Sequence, residues 1–294
     1  MCMAQSKQRQ VVCLKIGLIG AGKVGFSMGK YLIERGVEVS GYYSSRSESA
    51  KEAAIFTKTR YYESIKAIVE ASDTLFLTVP DGKIREVYSE IIQTDIKDKC
   101  LVHLSGALSS EVFSGIHERG AKGFSIHPIC AVSDKLTGYR DLSKAYFTIE
   151  GNDAETFVEL FCSLGNHVEV ISAEHKVKYH AAAVFASNLM VGLYDFATGM
   201  LKDCGLSQEF SKDALLPLFL GNAENIKEHG GVQALTGPVE RADEATVRKH
   251  LETLTKEERD VYCLLSQRLV EIAKQKNPDR NYEAVRWLLE RKEE

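Results

Sequence analysis

Leu14-Lys15-Ile16-Gly17-Leu18-Ile19-Gly20-Ala21-Gly22-Lys23-Val24-Gly25 is the stretch that decides the predicted fold. An apolar run typical of a buried strand leads into Gly20-x-Gly22-x-x-Gly25, and a helical pattern follows. In this context Gly20 allows a tight turn, Gly22 lets the backbone approach a phosphate, and Gly25 lets the helix pack on the strand. We therefore predict a dinucleotide site whose pyrophosphate faces the amides of Gly20, Ala21, Gly22, Lys23, Val24 and Gly25. The alternative is a strand–helix turn that binds nothing.

The end of the second predicted strand, Val37–Tyr43, favours one type of dinucleotide. An NAD site usually carries a carboxylate here, which grips the ribose 2′-hydroxyl. This chain instead has Ser44, Ser45 and Arg46, and Glu48 comes late. Hydroxyl groups and a guanidinium suit a 2′-phosphate. We therefore predict NADP as the cofactor, with NAD less favoured; the alternative for Arg46 is a solvated side chain in a polar loop.

Composition excludes several classes of partner. The chain has 294 residues and a net charge of −4, which gives no support for nucleic acid or an anionic membrane as a partner. Its seven cysteines are scattered, without a C-x-x-C pair or a Cys/His cluster. We therefore expect reduced thiols, no metal site and a cytoplasmic protein. Residues 1–12 are interpreted as a flexible polar tail without a signal-peptide core.

Strands and helices alternate up to about residue 172, and helices alone follow. This order predicts an α/β fold, with a doubly wound, mainly parallel Rossmann-type sheet over 13–172. A smaller all-α domain over 173–294 is expected to bind substrate and to form a dimer interface. Its predicted helices cover about 174–204, 207–228, 243–253, 256–276 and 281–291. The apolar stretch 181–201 is nearly long enough to span a membrane, but its polar residues favour a buried helix.

Candidate catalytic residues follow the strands, because ligands of such sheets bind beyond the carboxyl ends of the strands. Val79 and Pro80 would lie under the nicotinamide, and Ser105 with the amides after it could hold ligand oxygens. His127 precedes a proline at a strand end, where its imidazole could act as acid, base or substrate donor. The alternatives are a strand-ending turn for Pro80 and a backbone-bonded structural role for Ser105 and His127.

The first long helix carries a second set of candidates. If it is continuous, His180, Val184, Ser187 and Asn188 share one face. Polar groups on an otherwise apolar helix need partners, so they either join the two domains or contact a ligand. We predict that His180 and Asn188 take part in catalysis, and keep both interpretations open.

Together these motifs resemble a family of Rossmann-like proteins with a helical C-terminal domain of unknown function, whose members are described as NADP- or deazaflavin-dependent oxidoreductases. The wider group is similar to β-hydroxyacid dehydrogenases, ketopantoate reductases and pyrroline-carboxylate reductases. The resemblance implies a homodimer formed through the helical domain, with the substrate between the two domains. It rests on the segments Gly20–Gly25, Thr78–Asp81, His103–Ala107, Ser125–Pro128, Tyr179–Asn188 and Leu235–Asp243.

One position departs from that wider group. Its hydroxyacid dehydrogenases carry a catalytic lysine four residues before an asparagine on the first long helix. Asn188 matches the asparagine, but Val184 stands at the lysine position. We therefore expect an NADP-dependent oxidoreductase that acts on a small polar substrate, with His180 or His127 moving the proton and Ser105 and Asn188 orienting the substrate. The alternatives are a non-catalytic NADP(H)-binding or sensing protein and a deazaflavin-dependent reductase.

Overall fold

A single twisted sheet forms the centre of the first part of the chain. The computed structural model describes residues 14–290. Its eight strands have the order β3-β2-β1-β4-β5-β6-β7-β8. The strands are β1 (Lys15–Ile19), β2 (Glu38–Tyr43), β3 (Arg60–Tyr61), β4 (Thr74–Leu77), β5 (Cys100–His103), β6 (Lys122–Ile129), β7 (Tyr146–Glu150) and β8 (His167–Val170).

All neighbouring strands are parallel except β6 and β7. The predicted fold class, a mainly parallel Rossmann-type sheet followed by helices, is therefore confirmed. The short strand β3 was not predicted, because two residues are too few to show an alternating pattern.

The helices connect the strands and then continue alone. In the described part of the chain they are α1 (Lys23–Glu34), α2 (Ser47–Thr57), α3 (Ile65–Glu70), α4 (Asp81–Ile91), α5 (Tyr139–Leu142), α6 (Glu155–Ser163), α7 (Lys176–Phe185), α8 (Asn188–Asp203), α9 (Gln208–Ala234), α10 (Glu244–Thr253), α11 (Lys256–Lys276) and α12 (Glu283–Glu290). The chain divides into two compact units, the first ending at Ser187 and the second beginning at Asn188.

The sheet is covered on both faces, as a parallel sheet must be. Successive residues of β4 point into different cores: Phe76 packs with side chains of α1 and α6, whereas Leu75 and Leu77 pack with those of α3 and α4. This alternation follows from the two-residue period of a strand. Burial on both faces explains why β4 is apolar throughout.

The first long helix has one short interruption, because α7 ends at Phe185 and α8 begins at Asn188. At this point the amide of Ser187 donates to the carbonyl of Val184, three residues earlier. The predicted common face of His180 and Asn188 stays a prediction.

The apolar stretch is mostly exposed in the single chain. By length and composition, Ala173–Asp203 could cross a membrane, and 6% of the apolar window within it is buried. Its expected burial in an oligomer stays a prediction. In the second unit the apolar core instead joins α10, α11 and α12 around Val247, Val270 and Val285.

Helix α1 packs so closely on the sheet that one position requires glycine. A Cβ added at Gly29 would lie 1.8 Å from the Tyr42 hydroxyl oxygen on β2. We expect Gly29→Ala to lower the free energy of unfolding by about 1–3 kcal/mol, because the buried tyrosine ring must shift. Chemical denaturation followed by circular dichroism would measure the change.

Gly82→Ala is the matched control, because Gly82 is also helical but has no atom within 4 Å of the added carbon. The control should change stability by less than about 1 kcal/mol, and alanine's higher helix propensity favours a gain. Equal effects at Gly29 and Gly82 would show that the close approach of α1 to β2 does not limit stability.

Candidate active site

The glycine loop after β1 is locked to the end of β4. The Thr78 hydroxyl donates to the Gly20 carbonyl at 2.8 Å, and the Thr78 amide donates to the Ile19 carbonyl at 2.8 Å. Gly20 has a φ of +110°, which a side chain would strain. A Cβ at Gly25 would lie 2.3 Å from Thr78 Oγ1, so only glycine lets α1 approach this closely. The sequence predicts the glycines but gives no signal for the role of Thr78.

Gly22 differs from the other two glycines, because it is open. A Cβ there would meet no atom within 4 Å. Gly22 precedes the first residue of α1, and the first amides of a helix have no partner within the helix. An open backbone, free amides and the positive end of a helix dipole together fit a phosphate group. Ala21, Lys23 and Val24 belong to the same turn.

The segment after β2 lies between that strand and α2. Ser44 accepts a hydrogen bond from the Arg46 amide at 3.3 Å, and Arg46 precedes the first residue of α2. Ser45 and Arg46 are exposed, and Arg46 has no ion pair within the described part of the chain. The guanidinium therefore remains available to an anion.

The carboxyl ends of three strands and the middle of a fourth lie in one row at one edge of the sheet. Ile19 of β1 pairs with Leu77 of β4, Leu77 with His103 of β5, and His103 with Ser125 of β6. The residues that follow β1, β4 and β5 therefore come out at the same edge, beside the second half of β6, which carries His127. Thr78, Val79 and Pro80 follow β4 in that order, and Pro80 precedes α4.

The hydroxyl group of Ser105 is hydrogen-bonded to other groups of the protein. The hydroxyl donates to Asp81 Oδ2 at 2.6 Å and accepts from the amides of Ala107 and Leu108 at 3.2 and 3.0 Å. Ser105 is buried, and its amide donates to His103 Nδ1 at 3.2 Å. This geometry fits a residue that shapes the loop after β5, whereas its predicted contact with substrate stays a prediction.

Gly106 brings the two candidate histidines together. A Cβ at this position would lie 2.4 Å from His180 Nδ1 and 2.9 Å from His127 Nε2, so both imidazoles pack on the bare backbone. The two rings meet edge to face with centroids 5.9 Å apart. His180 Nδ1 is buried without a hydrogen-bond partner among the described residues. Two residues that are 53 positions apart in the sequence thus lie side by side, as required for a shared site.

The surroundings of His127 disfavour the protonated, positively charged form of its imidazole. Its Nδ1 lies 2.7 Å from the Tyr179 hydroxyl. Burial and, to a smaller extent, the charge of Lys176 lower the pKa of His127 to about 4. His103 behaves alike, since burial lowers its pKa to about 4. At neutral pH His127 is therefore an uncharged group with one donor and one acceptor nitrogen.

Asn188, the remaining candidate, belongs to a different unit from the other three candidate catalytic residues. It is the first residue of α8 and of the second unit, whereas His127, His180 and Ser105 belong to the first unit. Its predicted role in orienting substrate stays a prediction. Within residues 14–290, no group of three or more His, Cys, Asp or Glu side chains is placed to hold a metal ion.

Lys176 is the site residue that sequence reasoning missed. It is only 1% exposed, and its ammonium donates to the Ser105 carbonyl at 3.0 Å and to Ser125 Oγ at 2.8 Å. Lysine is almost never fully buried, so composition alone gave no reason to select it. One signal was present: Lys176 stands four residues before His180, hence on the same face of α7.

Two family models match the chain. The model of a Rossmann-like domain matches residues 2–128, and the model of a domain of unknown function, DUF2520, matches residues 145–269. No curated protein sequence matches this chain.

Solved structures resemble the whole chain. A Bacteroides fragilis protein described as a "putative NADP oxidoreductase" is 25% identical, with 89% of this chain and 100% of that one covered and a TM-score of 0.68. A Thermotoga maritima protein is 27% identical, with 88% and 98% covered and a TM-score of 0.69.

A third structure shares the fold alone. The Plasmodium falciparum pyrroline carboxylate reductase with NADP bound is 16% identical, with 90% and 96% covered and a TM-score of 0.58. These likenesses agree with the strand order and with the helices that follow the sheet. The chain is therefore similar to a Rossmann-like domain over residues 2–128 and to DUF2520, a domain of unknown function, over residues 145–269.

Proposed function

We propose that this protein is an NADP-dependent oxidoreductase that transfers hydride between nicotinamide and a carbon atom of a small polar substrate. One observation carries the proposal: His127 and His180 converge over Gly106 at the sheet edge that also carries the glycine loop. The structural resemblance to NADP-binding reductases supports the same activity.

The residues present fit the proposed cofactor. Gly22 leaves open space beside the first amides of α1, and Gly25 would not accept a side chain. Ser44, Ser45 and Arg46 would hold the 2′-phosphate, because hydroxyls and a guanidinium donate hydrogen bonds to it. When bound, the nicotinamide ring supplies or accepts the hydride. NAD and deazaflavin remain less favoured alternatives, since neither carries a ribose 2′-phosphate for Arg46 to bind.

The histidines would hold and polarise the substrate's reacting group. In the reductive direction the substrate carbon gains a hydride, and its oxygen or nitrogen gains a proton from His180, His127 or solvent. His127 and His180 thereby take the place of the lysine that the related hydroxyacid dehydrogenases carry where this chain has Val184. Ser105 would position the loop beneath them through Asp81.

We further propose a homodimer formed through the helical unit. Exposed apolar side chains are concentrated on two helices of the second unit, α8 and α9: Leu189, Val191, Leu193, Phe210, Leu216, Leu218, Leu220 and Ile226. Monomeric proteins rarely expose so many apolar side chains close together along neighbouring helices. A second copy of this chain would remove them from water. The small-molecule substrate remains the only other partner proposed.

A cytoplasmic location is proposed as well. Among the described residues no disulfide joins the cysteines. Cysteines without disulfides suit a reducing compartment, where disulfides are rare.

Gly22→Ala separates cofactor binding from folding. Because no protein atom lies within 4 Å of the added methyl group, the melting temperature without ligand should not change. A bound phosphate would meet that methyl group, so we expect the Kd for NADPH to rise about tenfold or more, a loss of about 1.4 kcal/mol. Isothermal titration calorimetry would measure it, and an unchanged Kd would remove the pyrophosphate from this loop.

Arg46→Ala serves as the second arm of the same titration. This variant should weaken NADPH binding but leave NADH binding unchanged, because only NADPH carries the 2′-phosphate. Equal losses for both dinucleotides would assign Arg46 a structural role instead.

His127→Asn and His180→Asn test catalysis. With a substrate found by screening carbonyl and imine compounds with NADPH, each variant should lower kcat/KM about 100-fold or more, since general acid–base groups contribute that much. His117→Asn is the control, because His117 is exposed in the loop before β6. If both variants keep full turnover, these roles are wrong. Tight NADPH binding without turnover across the panel would instead favour a sensing protein.

Leu218→Glu tests the proposed dimer. Leu218 is 63% exposed in the single chain, and a carboxylate there would have to lose water at an apolar interface. We expect the wild type to sediment as a dimer and the variant to shift toward monomer. Ile55→Glu, at a 79% exposed position of the first unit, should remain dimeric. A monomeric wild type at micromolar concentration would contradict the proposal.

A further inference from the structure

A buried ammonium group lies under the candidate site. Lys176 Nζ donates to the Ser105 carbonyl, and the Ser125 hydroxyl donates to the same oxygen at 3.1 Å. Lys176 Nζ also donates to Ser125 Oγ, so the three groups form a closed triangle. This triangle joins the start of α7, the end of β6 and the loop after β5. It fixes the peptide that leads directly into Gly106.

The charge of Lys176 has no close counterion. Among the described residues, no carboxylate lies within 4 Å of Nζ. Two carboxylates, those of Glu150 and Asp81, raise the pKa of Lys176, but both are hydrogen-bonded to other groups. Glu150 accepts from the Ser110 amide and hydroxyl, and Asp81 accepts from the Ser105 hydroxyl. Burial lowers the pKa of Lys176 to about 8, so the group still carries a proton at neutral pH.

A buried charge without a partner costs stability, and proteins retain one mainly where it serves a site. Here the site lies one helical turn away. Lys176 and His180 are four residues apart on α7, and the Ser105–Gly106 backbone that Lys176 holds is the surface on which His127 and His180 pack. The ammonium is thus connected to both histidines through one short segment.

We propose that Lys176 is a positioning residue of this site, whose ammonium holds the Ser105 carbonyl and with it the Gly106 backbone in place, so that His127, packed on that backbone, acts as a neutral hydrogen-bond donor to the substrate. The inference rests on the function proposed above and names the task of one of its two histidines. It also names the class of atom recognised, a carbonyl oxygen or neutral imine nitrogen that can accept a hydrogen bond.

The groups that face His127 support this role. Tyr179, Lys176 and His180 approach from α7, and His103 approaches from β5. Burial raises the pKa of Tyr179, so the phenol keeps its proton and can donate it to His127 Nδ1. The proton of the neutral imidazole then resides on Nε2, the nitrogen that lies over Gly106. A neutral imidazole in such a place can polarise a carbonyl group without changing its charge.

The balance of the reaction follows from this assignment. The substrate carbon gains hydride and its acceptor atom gains one proton, which comes through His180 or from solvent. His127 Nε2 keeps its hydrogen and strengthens its bond as negative charge develops on the acceptor atom. His127 and His180 would therefore have different tasks.

The test is an NMR titration of protein labelled at the histidine Cε1 positions, with the His127 signal assigned by its loss in His127→Asn. In the wild type this signal should not titrate above about pH 5, in keeping with a pKa of about 4. Lys176→Met removes the charge and the donor, whereas Lys176→Gln removes the charge and keeps an amide donor. Both should move the midpoint upward by at least about 0.5 unit, because a like charge nearby is removed.

Lys178→Met is the matched control, since Lys178 is exposed on the same helix. It should leave the His127 midpoint unchanged. An unchanged midpoint in a folded Lys176→Gln or Lys176→Met variant would overturn the proposal. The wild type supplies a test without substitution: one lysine should titrate near pH 8, and its absence would also contradict a buried ammonium.

The titration needs neither turnover nor NADPH. A protein that binds NADPH without reducing anything would therefore refute the proposed function and still leave the coupling of Lys176 to His127 measurable. Conversely, active enzyme with an unshifted midpoint would refute only the role of Lys176.

Discussion

The alignment of the carboxyl ends of β1, β4 and β5 with the middle of β6 is the constraint on which the candidate site depends. Parallel pairing sets Ile19, Leu77, His103 and Ser125 in one row across the sheet. The residues after the first three must come out at the same edge. The glycine loop, the Pro80 turn and the loop before Gly106 therefore lie beside the second half of β6 without any further interaction to direct them.

Polar groups that fill this edge would be costly if they were left unpaired. Ser105, Ser125 and Asp81 remove that cost by bonding to one another or to main-chain groups. Lys176 is the exception, because its hydrogen bonds are satisfied while its charge is not balanced at close range. Stability is thus given up at Lys176 and at the unpartnered His180 Nδ1, and a well-packed core on both faces of the sheet offsets it.

Much of the fold could be predicted because its signals are local. The glycines and the apolar strands lie within a few residues of what they determine. The turn after α7 and the exposure of α8 could not be predicted, since an apolar helix looks the same whether its own chain covers it or not. The bounds of α10 and α11, predicted over 243–253 and 256–276, agree closely with Glu244–Thr253 and Lys256–Lys276. Helix α9, predicted over 207–228, extends to Ala234.

The site was predicted only where residue type and strand end coincided. His127 and His180 are chemically distinctive, and the structure brings them together. Thr78 and Lys176 are common residue types whose importance comes from distant partners, 58 and 71 positions away. A single sequence carries no local trace of such pairs. The contact of Ser105 with substrate rested on its place after a strand, and its hydroxyl is already bonded within the protein.

The hydrogen bond from Thr78 to Gly20 also has a consequence for folding. Its two residues are 58 positions apart, so the loop that faces the proposed cofactor reaches its final shape only after β1 and β4 have paired. Closing a chain segment of that length costs entropy before any contact repays it. A chain that has made only its first strand and helix would hold the glycines in sequence but not in position. Dinucleotide binding would then select the completed sheet, and a ligand that binds only the folded chain stabilises it by mass action.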